Sequence, residues 1–246
     1  MSDSLQTAVV TGASRGFGRA IAAALVASGT DVVGIARGER ELRAVRDELG
    51  ERFTPVTADA TDDALARDLI HAHRPGLLVL NAGVAPHMAP VQEQTWETFS
   101  RNWHVDTRHV FTWTRAALRE PLAPGSVVVA MSSGAALGGS PLSGGYASAK
   151  AAIRYIRGYA ADESTRAGLD IRFVTLLPQL TPATGLGSVG VAGYAERQGV
   201  DRDTFVAGLQ PILTPDLVAK AVVELAADPD SAAEYQVSGA GPRPIS

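Results

Sequence analysis

Tyr146 and Lys150 stand four residues apart in Tyr146-Ala-Ser-Ala-Lys150, a spacing that puts both side chains on one helix face. A free phenol titrates near 10, too high for easy proton exchange at neutrality. A cation fixed beside it stabilises the phenolate and lowers that value. Such a pair could pass a proton to or from an oxygen whose carbon gains or loses a hydride. The chain's lysines are Lys150 and Lys220 alone, so a lysine at this spacing carries more information than it would in a lysine-rich sequence. Thiolate chemistry and disulfides are excluded because there is no cysteine. His71 and His73 share a helix end without acidic or further histidine partners, so no metal site is expected.

A second constellation is Thr11-Gly-Ala-Ser-Arg-Gly-Phe-Gly18. It follows an apolar strand-like run and opens an amphipathic stretch, so Gly12, Gly16 and Gly18 allow a tight turn with close backbone approach. Around Ser14, Arg15 and Phe17, the backbone amides at the start of the following helix could hold a pyrophosphate. After the second apolar run, Val32-Val33-Gly34-Ile35, an acidic residue would accept a hydrogen bond from a ribose 2′-hydroxyl. The sequence instead has Ala36 and then Arg37. Arg37 and Arg15 could clamp a 2′-phosphate, which favours NADP(H) over NAD(H); the plainer alternative is that both are solvated surface arginines.

The elements that must position these groups are legible as an alternation. Short runs such as Ala8-Val9-Val10, Leu77-Leu78-Val79-Leu80, Val127-Val128-Val129-Ala130 and Ile171-Arg172-Phe173-Val174 suit strands buried on both faces. Between them lie helical patterns, including Arg19–Ser28 stopping at Gly29 and Arg40–Leu49 stopping at Gly50. Strand and helix in turn imply right-handed crossovers and a doubly wound parallel α/β sheet of about seven strands, one Rossmann-like domain over residues 1–246. Ligands of such sheets bind beyond the carboxyl ends of the strands. The loops after Val10, Ile35, Leu80, Met131 and Leu177 should therefore converge on one crevice.

The Gly-x-x-x-Gly-x-Gly spacing, with Asp59-Ala60, Asn81-Ala82-Gly83, Ser133 and Tyr146-x-x-x-Lys150, resembles the short-chain dehydrogenase/reductase family. The resemblance spans essentially the whole chain and weakens after Leu177. It implies that Tyr146 is the general acid in reduction and general base in oxidation, and that Lys150 also binds the nicotinamide ribose. It implies further that Ser133, thirteen residues before Tyr146, hydrogen-bonds the substrate oxygen, with Ser132 as a neighbouring decoy. Asp59 and Ala60 match positions that contact adenine, although Asp59 could equally cap a helix; Asn81, Ala82 and Gly83 would run close to the cofactor with Asn81 bracing the strands.

Two departures stand out. Family members place an Asn where this chain has Asp106, in Val105-Asp106-Thr-Arg-His-Val-Phe111. A buried carboxylate there is costly unless paired, and Lys150 is the obvious partner; pairing would offset the lysine's influence on Tyr146. Asp106 is thus neutral, or alters the proton relay, or points elsewhere. Leu177-Pro178-Gln179 replaces a usual Pro-Gly, so Gln179 faces the carboxamide, the substrate or solvent; Thr184 could reach the cofactor amide, one residue later than usual.

Residues 180–214 read as a substrate loop or lid, Gly-, Thr- and Ala-rich at first and helical through Tyr194 to Gln210. His87, Met88, Leu137, Leu142, Leu186 and Tyr194 are candidate lining residues, suited to a neutral or weakly polar carbonyl compound, with His87 otherwise a surface residue. Trp96, Trp103 and Trp113 read as core or subunit contacts, and Ala151–Tyr159 as a subunit interface of a homodimer or homotetramer. A net charge of −4 offers no footprint for nucleic acid or an anionic membrane. The opening Met1–Thr7 lacks the basic and apolar regions of a leader, and no apolar run approaches the roughly 20 residues of a membrane span, so a cytoplasmic protein is expected. The rival to redox chemistry is an epimerase, dehydratase, imine reductase or nucleotide-binding regulator on the same fold.

Overall fold

The computed structural model describes residues 6–245, so the reading of the extreme N-terminus as lacking a leader lies largely outside the described residues. The first half alternates as expected: β1 (Thr7–Thr11), α1 (Gly16–Ala27), β2 (Asp31–Ala36), α2 (Glu39–Leu49), β3 (Phe53–Thr57), α3 (Asp63–His73) and β4 (Leu77–Leu80). There follow α4 (Trp96–Asn102), a π-helical turn (Trp103–Thr107), α5 (Arg108–Arg119), β5 (Val127–Met131), the short α6 (Ala135–Gly138), α7 (Gly144–Ala167) and β6 (Arg172–Pro178). The chain closes with α8 (Gly185–Gln198), α9 (Arg202–Ala207), α10 (Pro215–Ala227), β7 (Glu234–Ser238) and β8 (Gly241–Pro244).

These strands form one sheet in the order β3-β2-β1-β4-β5-β6-β7-β8. All neighbours are parallel except β7 and β8. Residue alternation sorts side chains between two cores. Ala8 and Val10 of β1, Leu77 and Val79 of β4, and Val127 and Val129 of β5 pack with Ile21, Leu25 and Val222 from α1 and α10. Val9, Leu78, Leu80 and Val128 face Ile70, Trp113 and Ile153 from α3, α5 and α7. With both faces covered, continuous apolar strands are required. The strand order reverses between β1 and β4, which opens a crevice beyond their carboxyl ends.

Two expectations need correction. The sheet has eight strands, because after Tyr235-Gln236-Val237 the chain turns back through Gly241-Pro-Arg-Pro244 as an antiparallel edge. Prolines usually signal loop, but an edge strand tolerates their missing N–H. The 180–214 region is mostly helical from Gly185 onward, and its helix ends at Gln198 rather than continuing to Gln210. Thr184 caps α8 by accepting the Gly187 N–H, and a Cβ on Gly187 would lie 1.9 Å from the Thr181 carbonyl. That glycine therefore serves close packing instead of a turn, whereas Gly199, with φ +67°, stops the helix.

Candidate active site

The expected loops line one cleft of about 1280 Å³ along the carboxyl edge of the sheet. Along its wall β1, β4 and α5 are pinned together. The Thr11 hydroxyl accepts the N–H groups of Asn81 and Ala82 at 2.9 and 3.1 Å and lies 3.0 Å from His109 Nε2. The Asn81 side-chain amide donates to the Thr11 carbonyl at 3.1 Å, so Asn81 acts as a brace. A Cβ on Gly12 would sit 2.8 Å from that amide, and one on Gly18 would sit 2.2 Å from the Gly12 carbonyl. The glycine spacing thus follows from how tightly this turn folds against β4.

Ser14, Arg15, Gly16, Phe17 and Arg37 line one end of the cleft with Asp59, Ala60 and Thr61. Gly18 is buried behind the turn. Asp59 accepts the backbone N–H and hydroxyl of Thr61, both at 2.9 Å. The Thr61 backbone bond is the main reason its carboxyl lies below the usual range, with Arg37 a lesser influence. Asp59 is not the cap of α3; Asp62 is. Trp113, fully buried, donates to the Ala60 carbonyl at 2.8 Å and holds this wall from behind. The other two tryptophans are exposed: Trp96 stacks on Phe99 and Trp103 donates to Ser148.

At the other end, β5 and the start of α7 bring Ser133, Tyr146 and Lys150 together. Lys150 Nζ donates to the Met131 carbonyl at 3.0 Å, lies 3.3 Å from Asp106 Oδ2 and stands 5.6 Å from the centre of the Tyr146 ring. Asp106 is fully buried. Its Oδ1 accepts the Val84 N–H at 3.0 Å, and Asn102 donates to Oδ2 at 3.5 Å and to the Val84 carbonyl at 2.8 Å. Of the three readings left open by the sequence, the geometry argues against the one in which the side chain points elsewhere: it turns inward and lies against Lys150. The π-helical turn that contains Asp106 is a local insertion of a kind frequent at functional sites.

The net influence on Tyr146 differs from the expectation of a lowered phenol. Burial pushes it up and is the largest effect; Lys150 and a hydrogen bond with Ser133 pull it down, and Asp106 again opposes them. Ser132, the decoy, binds the Lys150 carbonyl at 2.7 Å and so fixes the backbone of α7.

Pro178, Gln179, Thr184, Leu186 and Tyr194 line the cleft from the β6 and α8 side. Gln179 is exposed at the mouth, while the Thr184 hydroxyl is engaged in capping α8. His87, Leu137 and Leu142 are not among the lining residues. The Ala89 N–H donates to the Leu142 carbonyl at 2.8 Å; in the loop so fixed Met88 faces the cleft and His87 faces solvent, as does Leu137 at 45% exposure. Leu142 is buried against α8, near Gly193.

Sequence reasoning missed Glu41, Thr11 and His109. His109 is fully buried, and its Nδ1 has no hydrogen-bond partner among the described residues. Burial first, and then the charge of Lys150, push its pKa down to about 3, so it is neutral. The available signal was its place three residues after Asp106, on one face of the helix. Among the described residues no group of three or more His, Asp or Glu could hold a metal, and no helix is long and apolar enough to cross a membrane.

The family profile described as short chain dehydrogenase matches residues 6–188. The chain belongs to the short-chain dehydrogenase/reductase family, and it is an oxidoreductase of that family. Among its relatives is the NADP-dependent 3-hydroxy acid dehydrogenase YdfG of Salmonella typhimurium, 29% identical over 227 residues that cover 87% of this chain and 86% of the relative. Another is cis-4-hydroxycyclohexanecarboxylate dehydrogenase of Sinomonas cyclohexanicum, 33% identical over 233 residues, with 91% and 90% covered. The fold is also that of a 3-ketoacyl-(acyl-carrier-protein) reductase from Brucella melitensis solved with NADH, with TM-score 0.79, 23% identity and coverage of 95% and 97%. Short-chain dehydrogenases bind a nicotinamide cofactor, and the tight Gly12–Gly18 turn and the open cleft in front of it fit one.

Proposed function

We propose that this chain moves a hydride between NADP(H) and a neutral or weakly polar ketone or its alcohol. The observation that carries the reading is the placement of Ser133, Tyr146 and Lys150 at one end of a cleft whose other end presents Arg15 and Arg37. When bound, the nicotinamide supplies or accepts the hydride. Ser133 orients the substrate oxygen, and the Tyr146 hydroxyl gives it a proton in reduction or removes one in oxidation. Lys150 holds positive charge beside the phenol, tempered by Asp106. Gly12–Gly18 receives the pyrophosphate, Asn81-Ala82-Gly83 and Pro178-Gln179 flank the nicotinamide, and Asp59 and Ala60 border the adenine.

The side chains of Arg15 and Arg37 are exposed and make no hydrogen bond or ion pair among the described residues, which leaves both guanidinium groups available to a 2′-phosphate. The substrate end is lined by Met88, Leu180, Leu186, Gly190 and Tyr194. Among the described residues no arginine lines that end, and its lysine is committed to Asp106. A carboxylate lacks a cation there, in contrast to what the hydroxy-acid names of the relatives would suggest. The exposed Phe111, Tyr155 and Tyr159 on α5 and α7 support a homodimer or homotetramer, measurable by light scattering. The functional test is NADPH consumption with a panel of neutral ketones, keto acids and imines. Turnover of neutral ketones supports the reading; binding of NADPH with no oxidation by any member favours a non-redox activity on this fold.

A further inference from the structure

The corner where β2 hands over to α2 holds an anion of the chain's own. Glu41, in the first turn of α2, lines the cleft together with Arg15, Arg37 and Gly38. Its carboxylate folds back over Gly38: a Cβ on that residue would lie 2.5 Å from Glu41 Oε2. The same side chain meets Arg40 at 3.3 Å. Its carboxyl is held below the ordinary range, first by its own backbone N–H, then by Arg40, with a further contribution from the charge of Arg15.

Two free arginines alone would make this corner strongly selective for a 2′-phosphate, which carries close to two negative charges. The Glu41 carboxylate changes that balance. It repels a phosphate, and it can accept a hydrogen bond from a plain 2′-hydroxyl. We infer that Glu41 is a cofactor-selecting residue: its carboxylate is a resident anion that a 2′-phosphate must displace and a 2′-hydroxyl need not, so the chain retains use of NAD(H) beside NADP(H). This rests on the reading that the cleft takes NADP(H). The side chain is surface-facing and its backbone belongs to a helix held by Leu42 and Val45 in the core, so Glu41→Gln preserves the fold.

The test needs no substrate. Dissociation constants of NADPH and NADH are measured by fluorescence titration for the wild-type chain and Glu41→Gln, at low and high salt. The expected result is a roughly tenfold rise in preference for NADPH at low salt, carried by tighter NADPH binding and shrinking as salt screens the charge. An effect through helix stability alone would move both nucleotides together and would not depend on salt, and that outcome overturns the inference. So does an unchanged ratio in a chain that binds NADPH. A wild-type chain that takes up neither nucleotide overturns the underlying function as well.

Discussion

At one end of the cleft Arg15 and Arg37 stand exposed and unpaired, while at the other Lys150 is enclosed between the Met131 carbonyl and Asp106. Both ends use cations, but in different ways. An exposed arginine costs little to keep unpaired and is ready to meet a charged ligand. A buried lysine without a partner would be strongly destabilising, so its charge is balanced within the fold and acts on Tyr146 by position. On the proposed function, selectivity for the cofactor would then be set by residues that are easy to change, and proton transfer by residues that the fold itself depends on.

The sharpest way to break this contrast is to remove a partner at each end. Asp106→Leu leaves Lys150 buried and uncompensated and removes the acceptor for Val84; a loss of about 3–5 kcal/mol of stability is expected in denaturant unfolding. Arg37→Ala, by contrast, should leave the unfolding midpoint unchanged. His109→Gln probes the same buried end by pH. Because the folded imidazole titrates near 3 and the unfolded one near 6.5, the unfolded state binds the extra proton between those values. The wild-type chain should lose stability as pH falls from 6.5 toward 3, by up to about 1.4 kcal/mol per pH unit from this group, and the glutamine variant should lose less.

At the exposed end, Arg37→Ala should weaken NADPH binding roughly tenfold while leaving NADH nearly unaffected. The smallest effect is a refinement. Asp106→Asn keeps the shape but removes the charge that raises the Tyr146 phenol, so the influence of Lys150 is less opposed. The alkaline rise of alcohol oxidation, and the alkaline loss of ketone reduction, should both move to lower pH. A move to higher pH, or none, would contradict the role given to Asp106.

The sheet was legible because strands buried on both faces read as unbroken apolar runs, and Gly29 and Gly50 mark where helices stop. The Tyr146–Lys150 pair and the glycine turn were legible because their chemistry depends on local spacing. What local spacing does not encode is which partner a side chain meets across the fold. His109 appears as one polar residue in a helix until Thr11 is placed against it. Met88 and His87 differ by one position, and it takes bonds from across the fold, such as those from the Ala89 N–H to the Leu142 carbonyl and from Gln94 to the Ala89 carbonyl, to fix which of them faces the cleft. The Gly185–Gly190 stretch looked like loop because glycine suits both a turn and a crowded helix.

In the proposed reaction the carbonyl carbon receives a hydride from the nicotinamide while its oxygen receives a proton from Tyr146. Wild-type chain and Tyr146→Phe are incubated with NADPH carrying deuterium at nicotinamide C4 and a neutral ketone, and the alcohol is analysed by mass spectrometry for label on the carbinol carbon. The expected result is label transfer by the wild-type chain and a rate lower by about 10³-fold in Tyr146→Phe, which still binds NADPH. NADPH bound by the wild-type chain with no label reaching any ketone, or an undiminished rate in Tyr146→Phe, would contradict it.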